Sequence, residues 1–389
     1  MTDLRRFRLM RMSPRDPEES GRAASTLELF FDLVFVIAVS AASVHLHHAI
    51  SGGHAANGLV SYAMVFFAIW WAWMNFTWFG TSFSTDDWFY RVVTIVQMAG
   101  VLVLAAGVGP AFDHGDWTVI VIAYVVMRVA MIVQWLRAAR IGGALRRVAL
   151  TYAAGIAVVQ VFWIAFLFLP SSAAIPVFVV LAAAEMSVPV IAERGATTPW
   201  HPEHIAERYG CFTLIVLGES LLASADAVIG ALEGSEAPLS LIWLAVLALV
   251  STAAVWWIYF WPPHDGSFTS LASSLRYGYG HYVIFAAAGA FSAGVGVEVD
   301  RISGESEIGV VPASFAVTIP IALVLLGVWL IVIRRHADRI VNTVVPAGAV
   351  LVLLDPVLPV PIALTAVVLA AVVTVLVVRE PVAAVSTSS

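Results

Sequence analysis

The sequence predicts an all-α polytopic membrane protein of about twelve transmembrane helices, arranged as two parallel six-helix repeats. Three observations predict it. Of 389 residues, 61% are hydrophobic and 12% charged, with a mean hydropathy of +0.92, a composition foreign to a water-soluble domain of this length. Apolar runs recur near the roughly 20 residues that cross a hydrocarbon core of about 30 Å. Elements of the first half also return, in the same order, in the second. The runs show no period-2 alternation, so backbone satisfaction in lipid selects helices over a barrel.

In chain order the predicted spans are 27–50, 57–80, 89–112, 117–137, 148–170, 173–192, 205–229, 238–261, 277–298, 310–333, 340–357 and 360–378. Asp355, Pro356 and Pro359 separate the last two by a tight turn. The expected organisation is an Arg-rich tail (1–26), a first repeat (27–192), a linker (193–204), a second repeat (205–379) and a short tail (380–389). All 20 basic residues are Arg. Arg5, Arg6, Arg8, Arg11, Arg15 and Arg22 precede the first span, Arg137, Arg140, Arg146 and Arg147 follow the fourth, and Arg334, Arg335 and Arg339 follow the tenth. The loops of opposite parity carry only Arg301. The distribution of basic residues sets orientation, so both termini are expected to be cytoplasmic. Glu28 and Asp32 argue against a cleaved signal peptide at the first apolar run. The single cysteine, Cys211, excludes an intrachain disulfide and any Cys-based metal cluster.

The repeat rests on three matches. Glu28 falls opposite Glu207, Phe35 opposite Leu214, and Ser40-Ala41 opposite Glu219-Ser220. Trp70-Trp71, in I-W-W-A-W-M-N-F-T-W-F, return as Trp256-Trp257 in V-W-W-I-Y-F-W. A-G-V-G at Ala106 to Gly109 returns at Ala293 to Gly296. Six helices per half make both copies enter from the same side, so the repeats are parallel.

E-L-F-F-D-L-V-F-V at Glu28 to Val36, the Trp-rich second span and H-I-A-E-R-Y-G-C-F-T-L-I-V-L-G-E-S at His204 to Ser220 resemble the bacterial low temperature requirement A (LtrA) family. The resemblance runs from Thr26 to about Arg379 and implies a multi-pass protein of the bacterial plasma membrane. A more distant likeness is to bacterial and lysosomal potassium channels with a six-helix repeat and an R-x-x-x-F-S-D motif. Phe30 and Asp32 fit that motif, while Thr26, Phe31 and Cys211 depart from it.

Ionisable groups inside spans are costly and mark partners or pathways. Glu28 and Asp32 are i,i+4 and share a helix face, as do His204 and Arg208. Glu219 lies eleven residues after Arg208 on nearly the same stripe, about 16 Å away along the helix, too far for a direct pair. Arg128, in the fourth span, is a candidate partner for one of these carboxylates. Glu28, Asp32, Arg128, His204, Glu207, Arg208, Glu219 and Ser220 therefore form the candidate ion or substrate pathway; a paired structural network is the competing reading. Acids in a first helical turn also favour the macrodipole, a local role open to Glu28. Trp70, Trp71, Asn75, Trp256, Trp257 and His281 are candidates to line a cleft, with packing between helices as the alternative. His45, His47, His48 and His54 read as solvated loop residues rather than a metal site. No phosphate loop, catalytic triad order or zinc protease motif is present. The chain thus reads as a secondary transporter or channel for a proton, a small ion or a small molecule, with the lipid bilayer as its partner, no cofactor and no nucleic acid. The alternative is an intramembrane enzyme or lipid-handling protein acting on a lipid-linked substrate.

Overall fold

Helices form wherever the apolar runs were long, and local chemistry sets several of their ends. The computed structural model describes residues 9–17, 19, 21–233, 237–264, 268, 270–358 and 362–381. Arg5, Arg6, Arg8 and most of the expected C-terminal tail lie outside these residues. The described helices are α1 (Thr26–Ser51), α2 (Ala55–Ser82), α3 (Trp88–Ala106), the short α4 (Val108–His114), α5 (Thr118–Ala138), α6 (Gly143–Phe166) and α7 (Ser171–Ala192). They continue as α8 (Pro202–Leu232), α9 (Pro238–Phe260), α10 (Leu271–Ser303), α11 (Val310–Ile331), α12 (Val341–Leu354) and α13 (Ala363–Val378). A two-residue strand pair, β1 (Ser13–Pro14) with β2 (Phe83–Ser84), runs antiparallel.

Among the described residues, ten helical segments are long and apolar enough to cross a membrane. The sequence reading expected about twelve. The difference lies at the end of the chain, where Val341–Val357 and Ala363–Val378 are shorter apolar helices. The turn between them is drawn inward: Asp355 is fully buried and accepts the backbone N–H of Thr365 at 2.8 Å and that residue's hydroxyl. Lone apolar side chains such as Leu33, Ile37, Val161 and Phe162 are exposed, as expected of surface that meets lipid tails.

The helices group into two compact units, Met1–Ala41 with Met64–Cys211, and Ala42–Ala63 with Phe212–Ser389. In the first, Trp70, Trp71, Trp73 and Phe76 of α2 are fully buried and supply much of the core, and α3, α5, α6 and α7 pack in succession. Asp87 caps α3 by accepting the backbone N–H of Tyr90 at 2.9 Å. In the second, α10 packs on α11 and α11 on α12, while α9 meets α13. Ser270 and Ser273 close a capping box at the start of α10.

Candidate functional site

The first two turns of α1 and the first two turns of α8 bring four buried ionisable residues of the first unit together: Glu28, Asp32, His204 and Arg208. Ser25 caps α1, and Ser25-Thr26-Leu27-Glu28 is a capping box: the backbone N–H of Ser25 donates to Glu28 Oε2 at 2.8 Å and that of Glu28 to Ser25 Oγ at 3.3 Å. One turn further, Asp32 is 1% exposed. Its carboxylate accepts Arg208 Nη2 at 2.6 Å and Nε at 2.8 Å, a two-pronged pair, and the Trp73 indole at 2.7 Å. Three charged or indole donors on one carboxylate are what a charge at this depth requires.

Arg208 has a second acid within reach. Its Nη1, which makes no hydrogen bond, lies 3.4 Å from Glu28 Oε1. The same oxygen lies 3.4 Å from His204 Nε2 and 4.0 Å from Arg22 Nη2. Arg22 reaches the site from the segment before α1 and donates to the carbonyls of Thr81 at 2.5 Å and Gly80 at 2.9 Å. Burial, with Arg15 nearby, pulls its guanidinium down to about 10, which leaves it cationic at neutral pH. Gly80 permits this approach, because a Cβ there would stand 3.0 Å from Glu28 Oε1. Two carboxylates thus face two guanidiniums, and a neutral His204 leaves the cluster without net charge. A cavity of about 440 Å³ adjoins it, and Arg15, Glu28, Phe30, Tyr90, Asp86 and Arg91 contribute to its walls.

The structure therefore brings together Glu28, Asp32, His204 and Arg208, and adds two residues the sequence reading passed over. Arg22 was counted with the tail arginines; its distance of only six residues from Glu28 was the available signal. Trp73 was overlooked beside Trp70 and Trp71, although two residues along a helix turn about 200° and point its indole to a different neighbour from that of Trp71. Glu207 stands apart: it is exposed and accepts the backbone N–H of Ala24 at 2.9 Å. Glu219 and Ser220 belong to the second unit and are buried there. The Ser220 hydroxyl has no hydrogen-bond partner among the described residues.

Arg128 departs from expectation. Its neighbouring carboxylate is Glu185 of α7, at 3.9 Å, and its Nη2 donates to Tyr124. Glu185 accepts instead from Trp71 at 2.9 Å, Gln160 at 3.1 Å and Trp163 at 3.2 Å. Of the proposed cleft residues, Trp70 and Trp71 are packed in the core, Asn75 donates to the carbonyl of Trp71 at 2.7 Å, and Trp256 and Trp257 are 43% and 44% exposed at the surface of α9. His281 is buried, with Nδ1 donating to the carbonyl of Tyr277 at 2.7 Å and Nε2 3.0 Å from the Tyr259 hydroxyl. Trp70, Trp71 and Asn75 belong to the first unit and Trp256, Trp257 and His281 to the second. The histidines at the end of α1 are helical rather than in a loop, except His54, and His47 pairs with Asp300 at 2.6 Å.

Residues 23–378 match the family described as bacterial low temperature requirement A protein (LtrA). The chain belongs to the LtrA family. An uncharacterized protein of Rhizobium meliloti (strain 1021), RA0937, is 30% identical over 252 residues, which cover 62% of this chain and 59% of that relative. The match thus spans less than two thirds of the relative's length. Neither comparison supports the more distant likeness to potassium channels. The buried cluster falls on both motifs that carried the family resemblance, since Glu28 and Asp32 come from the first LtrA motif and His204 and Arg208 from the second.

Proposed function

We propose that this LtrA-family membrane protein is a secondary transporter or channel in which Glu28 and His204 exchange a proton or a small cation with the cavity beside them. The observation that supports this reading is the division of labour around Arg208. Asp32 already neutralises Arg208 through two short hydrogen bonds, so Glu28 is the carboxylate that can change its charge without stripping Arg208 of a counter-ion. It is also the one that borders the cavity. Because the cluster is balanced with His204 neutral, a proton arriving at Glu28 or His204 leaves it positive, and the excess charge has to be passed on or offset by an anion. Trp73 and Gly80 are positioning residues in this scheme, one holding Asp32 and the other leaving room for Glu28.

The repeat reading is part of the proposal. Its support is local to each unit. A Cβ on Gly107 would stand 2.9 Å from the backbone nitrogen of Ile120 at the start of α5, and one on Gly294 would stand 2.2 Å from the carbonyl oxygen of Ala316 in α11. The recurring A-G-V-G thus admits the backbone of the following span in both halves, at 27–192 and 205–379. The Arg-rich ends are assigned to the cytoplasmic side of the bacterial plasma membrane, with both termini there. Transport is tested by loading purified protein into liposomes with an internal pH dye and imposing ion gradients. Gradient-driven proton movement above that of protein-free vesicles is the expected outcome, and none under any gradient across a cation and anion panel contradicts the reading.

A further inference from the structure

The α6 and α7 helices leave a groove of about 800 Å³ between them, and its two ends differ in chemistry. At one end stand Arg146 and Arg147, both exposed, on the first turns of α6. Neither makes an ion pair or a side-chain hydrogen bond among the described residues, and the first turn of α6 contains no acid. The walls then turn apolar, through Leu150 and Ala154 to Val158, with Ile191 opposite. From Arg147 to Val158 the helix rises about 16 Å, close to half of a hydrocarbon core of roughly 30 Å. A groove that is cationic at the headgroup level and apolar for the depth of one leaflet complements an anionic phospholipid.

We propose that this groove is a binding site for an anionic glycerophospholipid of the surrounding leaflet. The phosphate lies against the guanidiniums of Arg146 and Arg147, whose planar forks suit its oxygens, and one acyl chain lies along Leu150, Ala154 and Val158. Basic residues at the mouth of an inter-helix groove attract anionic headgroups beyond what a zwitterionic lipid offers. The site is independent of the Glu28 cluster and stands whether or not the protein transports protons.

The test uses the full chain purified in detergent, partly delipidated and incubated with phosphatidylglycerol or phosphatidylcholine of identical acyl chains, with retained lipid counted by native mass spectrometry. The wild type is expected to retain the anionic lipid preferentially. The R146Q/R147Q variant should reduce that preference roughly 30-fold, as expected for two basic residues at a membrane surface, and lower phosphatidylcholine retention far less. Ala154→Trp, which fills the apolar part, should lower retention of both lipids. The R335Q/R339Q variant, a basic pair elsewhere, should behave as wild type. An unchanged preference in R146Q/R147Q, or an equal loss in R335Q/R339Q, overturns the assignment and leaves diffuse surface charge as the explanation.

Discussion

Two buried arginines in the same unit solve the problem of charge in lipid differently. Arg208 is clamped by Asp32 through two charge-assisted hydrogen bonds and has Glu28, His204 and Arg22 around it. Arg128 stands 3.9 Å from Glu185 without a direct hydrogen bond to it, beneath the Tyr124 ring at 4.5 Å, and Glu185 is held by two indoles and an amide. The second arrangement shelters each charge with neutral donors and ring electrons, and among the described residues Glu185 is the acid paired with Arg128. The first holds one acid more than Arg208 needs, and that surplus makes it a candidate site rather than only a brace.

The largest expected effect follows from removing the clamp. Arg208→Met leaves Asp32 and Glu28 buried together against one remaining guanidinium, and should destabilise the protein by about 3 to 5 kcal/mol, read as lost folded yield and a lowered melting temperature in detergent. Glu185→Gln should cost less, about 3 kcal/mol, at the low end for a broken buried pair, because the amide oxygen still accepts from Trp71 and Arg128 keeps its bond to Tyr124. Equal losses for the two variants would erase the distinction between the clusters.

A smaller effect contrasts two carboxylates outside the spans. Burial pushes the Asp87 carboxyl up, but hydrogen bonds from Arg137 and from the backbone N–H groups of Tyr90 and Met10 outweigh it and hold the group below its ordinary value of 3.8. Its folded value is depressed, so its contribution to stability is present above pH 3.8 and is lost as pH falls through the folded value. Burial raises Glu193 above its ordinary 4.5 despite bonds from Thr198 and Tyr152. That contribution is full below pH 4.5 and is lost as pH rises through the folded value. Melting curves in detergent across pH should therefore lose acid sensitivity in Asp87→Asn and lose part of the decline on the alkaline side in Glu193→Gln. The same pH dependence in both variants as in wild type would show that neither carboxylate is tuned by the fold.

Much of this site was legible as spacing. The i,i+4 pairs Glu28/Asp32 and His204/Arg208 follow from helical geometry alone, and the cost of charge in lipid says that each needs a partner. Spacing does not say which helix a face meets. Arg128 was therefore matched to the conspicuous acids instead of Glu185 of α7, whose donors Trp71, Gln160 and Trp163 come from two other helices, α2 and α6. Arg22 and Trp73 escaped for a related reason, since a tail arginine and one indole among several acquire meaning only when the fold brings a carboxylate to them. Hydropathy located the long spans and the turn at Asp355, while α12 and α13 are shorter apolar helices than the ten before them.

The central claim is that Glu28 works while Asp32 and Glu185 hold the structure. Its most direct measurement is the pH dependence of proton flux in liposomes for Glu28→Gln beside Glu185→Gln, each first checked for a monodisperse folded state. Glu28→Gln keeps Arg208 balanced by Asp32 and should remain folded, yet lose its flux or the pH dependence of it, while Glu185→Gln should retain both in whatever fraction folds. Wild-type flux and pH dependence in a folded Glu28→Gln protein would contradict the account.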